Sequence, residues 1–211
     1  MANVRGHRNV RAVLDDASAT LDTARLGVED FRRGDRPGRR LAGLRNAVVF
    51  GRAVTNAVQN IRRFEREGFE RWYGPRQAAL RENTDFKYLV ELRNQILKEG
   101  VLGSTSASMM IEDFNTNQLA ELPTPPAGAK SFFMGDHLGG SGWEVDLADG
   151  TKERYYIELP TTWKIRTEAH FTDVTTSLGL PPPKKPIDHL LVEYMDQLTD
   201  LIAAARLEFL N

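Results

Sequence analysis

The chain has 211 residues, of which 41% are hydrophobic and 27% charged, with no cysteine and a formal net charge of −1. This length suits one domain with its own core, and the absence of thiols excludes disulfides, thiolate zinc sites, cysteine-held iron–sulfur clusters and cysteine nucleophiles. No apolar run approaches the ~20 residues that a bilayer span needs, and residues 1–11 carry no apolar signal-peptide stretch, so the expected location is the cytoplasm with no membrane partner.

Val10, Leu14, Ala17, Leu21, Ala24, Val28 and Phe31 alternate four and three apart, the seam of an amphipathic helix. Gly34-Asp35-Arg36-Pro37-Gly38 supplies the turn that ends it. A second helix is predicted from about Arg40 to Trp72, with Leu41, Leu44, Val48, Gly51, Val54, Val58, Ile61 and Phe64 on one stripe. Its small residues Ala47, Gly51, Ala53 and Ala57 allow a neighbour to come close. Gly74-Pro75 is predicted to break that helix and start another. Asn83 or Thr84 caps the next, which carries Phe86, Leu89, Val90, Leu92, Ile96 and Leu97, with Lys98 in its last turn and Gly100 as the C′ residue.

From Val101 the texture changes. Residues 104–111 read as a loop leading into a short strand. Trp143 to Leu147 and Tyr155 to Leu159 flank Ala148-Asp149-Gly150-Thr151, and Asp-Gly between alternating arms is a strong hairpin signal. Ser131-Phe132-Phe133-Met134 is a candidate third strand. Four prolines between Leu180 and Pro186 make a stiff connector. A closing helix spans about 187–210 with Leu191, Met195, Leu198, Ile202, Ala205 and Leu210. The expected fold is therefore mainly α. It is a single domain, 1–211, whose antiparallel bundle (8–100 plus 187–210) is interrupted by a small β-hairpin insertion at about 104–180.

The net charge hides an asymmetry. Residues 1–80 hold 16 Arg, no Lys and 9 acidic residues, a net of +7, while residues 81–211 come to −8. Three uses compete: a solvated helical face, a phosphate-facing surface that exploits bidentate guanidinium contacts, or pairing with the acidic half within or between chains. For the second, Arg45, Arg52, Arg62, Arg63 and Arg66 are the candidate nucleic-acid-binding residues.

Leu92-Arg93-Asn94-Gln95-Ile96-Leu97-Lys98 closes a predicted helix. It resembles the end of the third helix in HEPN domains, whose motif is written Arg-Asn-x-x-x-His; Arg93 and Asn94 match, and Lys98 stands at the histidine. The resemblance covers mainly residues 40–100. It implies an up-and-down bundle, a homodimer with two motifs across a shared cleft, and a prokaryotic defence or toxin–antitoxin setting with RNA as ligand. In a metal-independent ribonuclease the Arg neutralises phosphate and the His moves a proton near neutral pH. A lysine, ordinarily near 10.4, needs a strong downward shift to act as a base, and the negative end of a helix favours its charged form. The expectation is a catalytically degenerate HEPN-like protein that binds RNA or an acidic protein partner. The alternatives are an endoribonuclease using Arg93, Asn94 and Lys98 as catalytic residues, or a purely structural oligomerisation protein. For Arg93 a surface ion pair with Glu91 or Glu99 is the simpler role, and Asn94 can satisfy a backbone group.

Asp136, His137, Glu168 and His170 lack metal-ligand spacing, His7 and His189 lie near predicted ends, and no metal or other cofactor is expected. Gly135-Asp136-His137-Leu138-Gly139-Gly140-Ser141-Gly142 lacks the Gly-Lys-Ser/Thr ending of a P-loop and reads as a flexible lead into the hairpin. Gly-x-Ser-x-Gly is absent. The aromatic pairs Trp72-Tyr73, Phe132-Phe133 and Tyr155-Tyr156, with Trp143 and Trp163, either fill the β core or offer a stacking surface for bases.

Overall fold

The structure, a computed structural model, describes residues 9–33, 38–175 and 177–210. His7 and the turn residues Gly34-Asp35-Arg36-Pro37 lie outside them. The first helix, α1 (Val10–Arg33), follows its seam: Leu14, Ala17, Leu21, Ala24, Val28 and Phe31 are buried. Asn9 accepts the Ala12 N–H at 2.9 Å and satisfies one of the orphan donors of its first turn.

α2 (Arg39–Val58) packs along α1 backbone to backbone. A Cβ built on Gly27 would lie 2.5 Å from the Ala47 nitrogen, and one on Gly43 would lie 2.6 Å from the Gly27 carbonyl oxygen. Gly51 is used differently, since the Tyr194 ring of the last helix sits 2.6 Å from where its Cβ would be.

The predicted helix from 40 to 72 is two helices. It stops at Val58, a short 3-10 turn runs over Gln59–Arg63, and α3 spans Arg66–Glu82. Side chains compete for the backbone there: Thr55 donates to the Arg52 carbonyl at 3.0 Å, Gln59 to Thr55 at 3.1 Å and Asn60 to Asn56 at 3.4 Å. Such bonds weaken a helical ladder, and the Ile61 carbonyl takes both the Phe64 and Glu65 N–H groups. Gly74-Pro75, predicted as the break, lies inside α3. Pro75 removes one ladder bond, but Arg71, Gly74 and Pro75 are exposed, so the unpaired carbonyl meets water. Phe69, Trp72 and Tyr73 are buried and hold the helix down.

α4 (Thr84–Glu99) keeps its predicted ends. Asn83 accepts the Phe86 N–H at 3.1 Å, and Gly100 stops the helix at φ +71°. α5 (Ile187–Phe209) follows Pro186 and buries nine residues from Ile187 to Ala205.

Between α4 and α5 stand five strands: β1 (Thr105–Glu112), β2 (Ala129–Phe133), β3 (Ser141–Asp146), β4 (Lys152–Ile157) and β5 (Lys164–Phe171). β2, β3 and β4 form an antiparallel sheet, with Trp143 opposite Tyr155 across the predicted hairpin. β1 and β5 form a second antiparallel sheet, from Thr105 opposite Phe171 to Glu112 opposite Lys164.

This corrects the expectation of a mainly α bundle with a hairpin insertion. The protein is a mixed α and β fold, with about 56% of the described residues in helix and 17% in strand. β5 was not anticipated, although Ile165, Thr167, Ala169 and Phe171 alternate with more polar neighbours. It turns the segment into a wall of the molecule: Leu102, Leu138, Ala169 and Phe171 belong to one apolar core with the helices. The Phe171 ring lies 5.2 Å from that of Tyr88 on α4. No helix among the described residues is long and apolar enough to cross a membrane.

Candidate functional site

Arg93, Asn94 and Lys98 do not form one constellation. Arg93 donates to the Asn94 amide oxygen at 3.1 Å, and Asn94 donates to Glu91 at 3.4 Å, so the half-buried pair is engaged on its own helix. Lys98 is exposed. Five residues separate Arg93 from Lys98, which sets them about 140° apart around the helix axis. None of the three lines the cavities described below.

The five nominated arginines divide. Arg45 donates to the Gly100 carbonyl at 2.7 Å and ties α2 to the end of α4. Arg62 pairs with Glu70 at 2.6 Å, reaches Gln59 at 2.9 Å and lies 5.2 Å over the Phe69 ring. These two hold structure. Arg52 is half-buried and donates to the Thr55 hydroxyl. Arg63 and Arg66 are exposed, and so are Arg71 and Arg81; none of these four has an ion pair among the described residues. Residues 39–82 hold ten Arg and four Glu, a net of +6. The acidic half does not cancel this charge. Among the described residues, Arg32–Asp188 at 3.8 Å is the single ion pair between a cation of the first half and a carboxylate of the second.

The glycine-rich loop is an ordered hub rather than a flexible lead. Asp136, 8% exposed, accepts from the Leu138 and Gly140 N–H groups at 2.9 and 2.8 Å and from the Tyr156 hydroxyl at 2.5 Å. Arg40 of α2 donates to the Leu138 carbonyl and, at 3.1 Å, to the Arg32 carbonyl, so the loop is fastened to the α1–α2 corner. Burial lowers the Arg40 pKa, against the pull of Asp136, Tyr156 and Asp188. Asp136 is thereby committed, and no cluster of three or more His, Asp or Glu suited to a metal exists among the described residues.

Burial, then the bond to Asp136, pushes the Tyr156 phenol up to about 12, and burial, then the charge of Asp173, does the same for Tyr88. A phenol whose folded pKa is raised adds stability below its ordinary value of 10 and loses it as pH climbs through the folded value. Unfolding midpoints in urea are thus expected to fall between pH 10 and 12, alongside phenolate absorbance. A midpoint flat across that window contradicts this account.

Two cavities among the described residues carry three cations each. One, of about 390 Å³, lies between α1, the strands and the start of α5, and its cations are Arg32, Arg33 and Arg40. All three are already engaged: Arg32 faces Asp188 at 3.8 Å, Arg33 faces Glu29 at 3.8 Å, and Arg40 holds the loop. The other, of about 280 Å³, is an interhelical groove. Arg52 and Thr55 enter it from α2, Tyr73, Gln77 and Arg81 from α3, Lys87 and Glu91 from α4, and Tyr194 from α5. Its apolar side is Leu80, Phe86 and Val90, with Leu178, two residues before the proline-rich connector, also in the lining.

The one-residue junction at Asn83 explains the grouping. α3 ends at Glu82 and α4 begins at Thr84, so residues on either side of the turn are brought to one groove. Burial raises the Tyr73 pKa, while Arg52, Arg62 and Arg81 pull it down. Burial also raises that of Tyr194. Both phenols stay protonated at neutral pH and are hydrogen-bond donors. Of these groove residues the sequence reading had singled out only Arg52 for phosphate. Arg81 and Lys87 straddle the Asn83 cap, and that placement was the available signal.

Comparison with protein-family models, curated proteins and solved structures found no match for this chain.

Proposed function

We propose that this chain is a nucleic-acid-binding protein that takes RNA phosphates on the arginine-rich surface of α3 and the 3-10 turn that precedes it. The observation that carries the reading is the set of exposed guanidiniums at Arg63, Arg66, Arg71 and Arg81, without ion pairs among the described residues and in a stretch of net +6. Surface arginines of this kind release counterions when they meet phosphates. The HEPN resemblance belongs to the same proposal: a member that keeps Arg93 and Asn94, carries Lys98 for the histidine, has lost efficient cleavage, and works as a homodimer in a prokaryotic defence or toxin–antitoxin setting. Lysine at position 98, where the motif has histidine, supports binding over cleavage, because an exposed ammonium is a poor proton acceptor near neutral pH.

The test is fluorescence anisotropy with a labelled single-stranded RNA between 50 and 300 mM salt, in which log affinity falls linearly with log salt. Replacing Arg63, Arg66 and Arg71 together by alanine is expected to reduce the slope by about 2, at about 0.7 per lost single-strand phosphate contact. Absence of binding at the lowest salt, or an unchanged slope, overturns the reading. RNA cleavage that Arg93→Ala abolishes would replace it with the nuclease.

A further inference from the structure

The geometry points to a binding subsite for a phosphate monoester carried on an apolar or aromatic body, such as the terminal phosphate of a nucleotide, in the groove between α2, α3, α4 and α5. It rests on the RNA-binding reading for its setting, but its recognition chemistry stands apart.

Charge selects the ligand class. Arg52, Arg81 and Lys87 line the groove against the single carboxylate of Glu91, leaving two positive charges uncompensated. Glu91 is itself held by Asn94 at 3.4 Å on the same helix. A monoester phosphate is close to a dianion at neutral pH, with a second pKa near 6, and matches that surplus. A phosphodiester carries one charge and leaves half of the surplus uncancelled. Neutral donors add to the match: the phenols of Tyr73 and Tyr194, both nearly fully buried, line the same space. Guanidiniums present two parallel N–H groups to phosphate oxygens, which makes Arg52 and Arg81 the expected clamps.

Size and polarity select the rest. About 280 Å³ is at the small end of ligand pockets and fits one nucleotide rather than a stretch of strand. Leu80, Phe86 and Val90 give the groove an apolar side, where a flat ring can lie while its phosphate meets the cations. The larger cavity at the α–β junction has a smaller surplus, because Glu158 and Asp188 line it beside its three arginines and leave one positive charge.

Titration calorimetry with 5′-AMP, 3′,5′-cyclic AMP and adenosine tests the assignment on a constant body with two, one and no charges. The expected order is 5′-AMP, cyclic AMP, adenosine, with about tenfold or more between the first and last, as charge-assisted bonds imply. Arg81→Ala and Lys87→Ala, both at exposed positions, are each expected to weaken 5′-AMP by roughly threefold to fivefold, with circular dichroism and thermal midpoint unchanged. Equal affinity for 5′-AMP and cyclic AMP, no binding of 5′-AMP at millimolar concentration, or indifference to both substitutions overturns the site. RNA oligonucleotides with 5′-phosphate and 5′-hydroxyl ends separate the two sources. A preference for the 5′-phosphate end supports a strand-end subsite, and 5′-AMP binding without RNA affinity supports a free-nucleotide site while removing the RNA reading. RNA binding blind to both the end group and added 5′-AMP overturns the subsite and leaves the RNA reading standing.

Discussion

Asp136→Ala destabilises the protein by about 3–6 kcal/mol, because three donors lose one shared acceptor and each buried unpaired group costs ~1–3 kcal/mol. The donors are the Leu138 and Gly140 N–H groups and the Tyr156 hydroxyl. Native domains stand only ~5–15 kcal/mol above their unfolded chains, so this one truncation removes a large part of the margin. The loss spreads beyond the loop. Arg40 is fastened to Leu138 and loses the nearby charge that helps keep it ionised. Urea unfolding with fluorescence and hydrogen exchange reads both the global loss and the selective opening of residues 135–142. Asp136→Asn keeps an oxygen for the two amides and is expected to lose about 1–2 kcal/mol, with the Tyr156 phenol titrating closer to 10. An alanine variant as stable as its parent would refute the hub.

The second large effect is at the α1–α2 crossing. In an exposed helix, Gly→Ala stabilises by ~1 kcal/mol. At Gly43 the sign reverses. The new methyl would lie 2.6 Å from the Gly27 carbonyl oxygen, and that obstacle is backbone, which cannot rotate aside as a side chain can. The helices must separate, loosening Leu14, Ala17, Leu44 and Val48 around the contact, and overpacking of this kind costs ~1–3 kcal/mol. Gly43→Leu is expected not to fold. The double variant Gly27→Ala/Gly43→Ala should lose less than the sum of its singles, because the first change already opens the space for the second. A higher melting temperature for either single variant, as propensity alone demands, contradicts the close crossing.

What the residues disclosed in advance was local. The four-three seam of α1, the Asn83 cap, the Gly100 stop and the Asp149-Gly150 hairpin each depend on a few neighbouring side chains, and each stands where the pattern put it. The errors arose where distant partners decide. Pro75 stays helical because its unpaired carbonyl is wet and its other face is buried. Lys164 to Phe171 becomes a strand because β1, more than fifty residues earlier, supplies its partner. The candidate site divides the same way. Composition located the basic half, but only the packed helices assign Arg45 and Arg62 to the scaffold and draw Arg81 and Lys87 to one groove. Arg93 and Asn94, placed by the motif alone, are taken up by each other and by Glu91 on their own helix, a contact that the spacing does not disclose.

The position of α5 has a consequence for how the chain comes into being. It packs against α1 and α2 and lays Tyr194 over Gly51, yet 86 residues separate its start at Ile187 from Gly100. At ~5–20 residues per second, a ribosome takes roughly 4–17 s to bridge that interval. For those seconds the first four helices stand outside the exit tunnel with the apolar surface of Val48, Val54 and Val58 still waiting for its cover. The interhelical groove, which Tyr194 helps to line, is therefore completed only as the last helix docks.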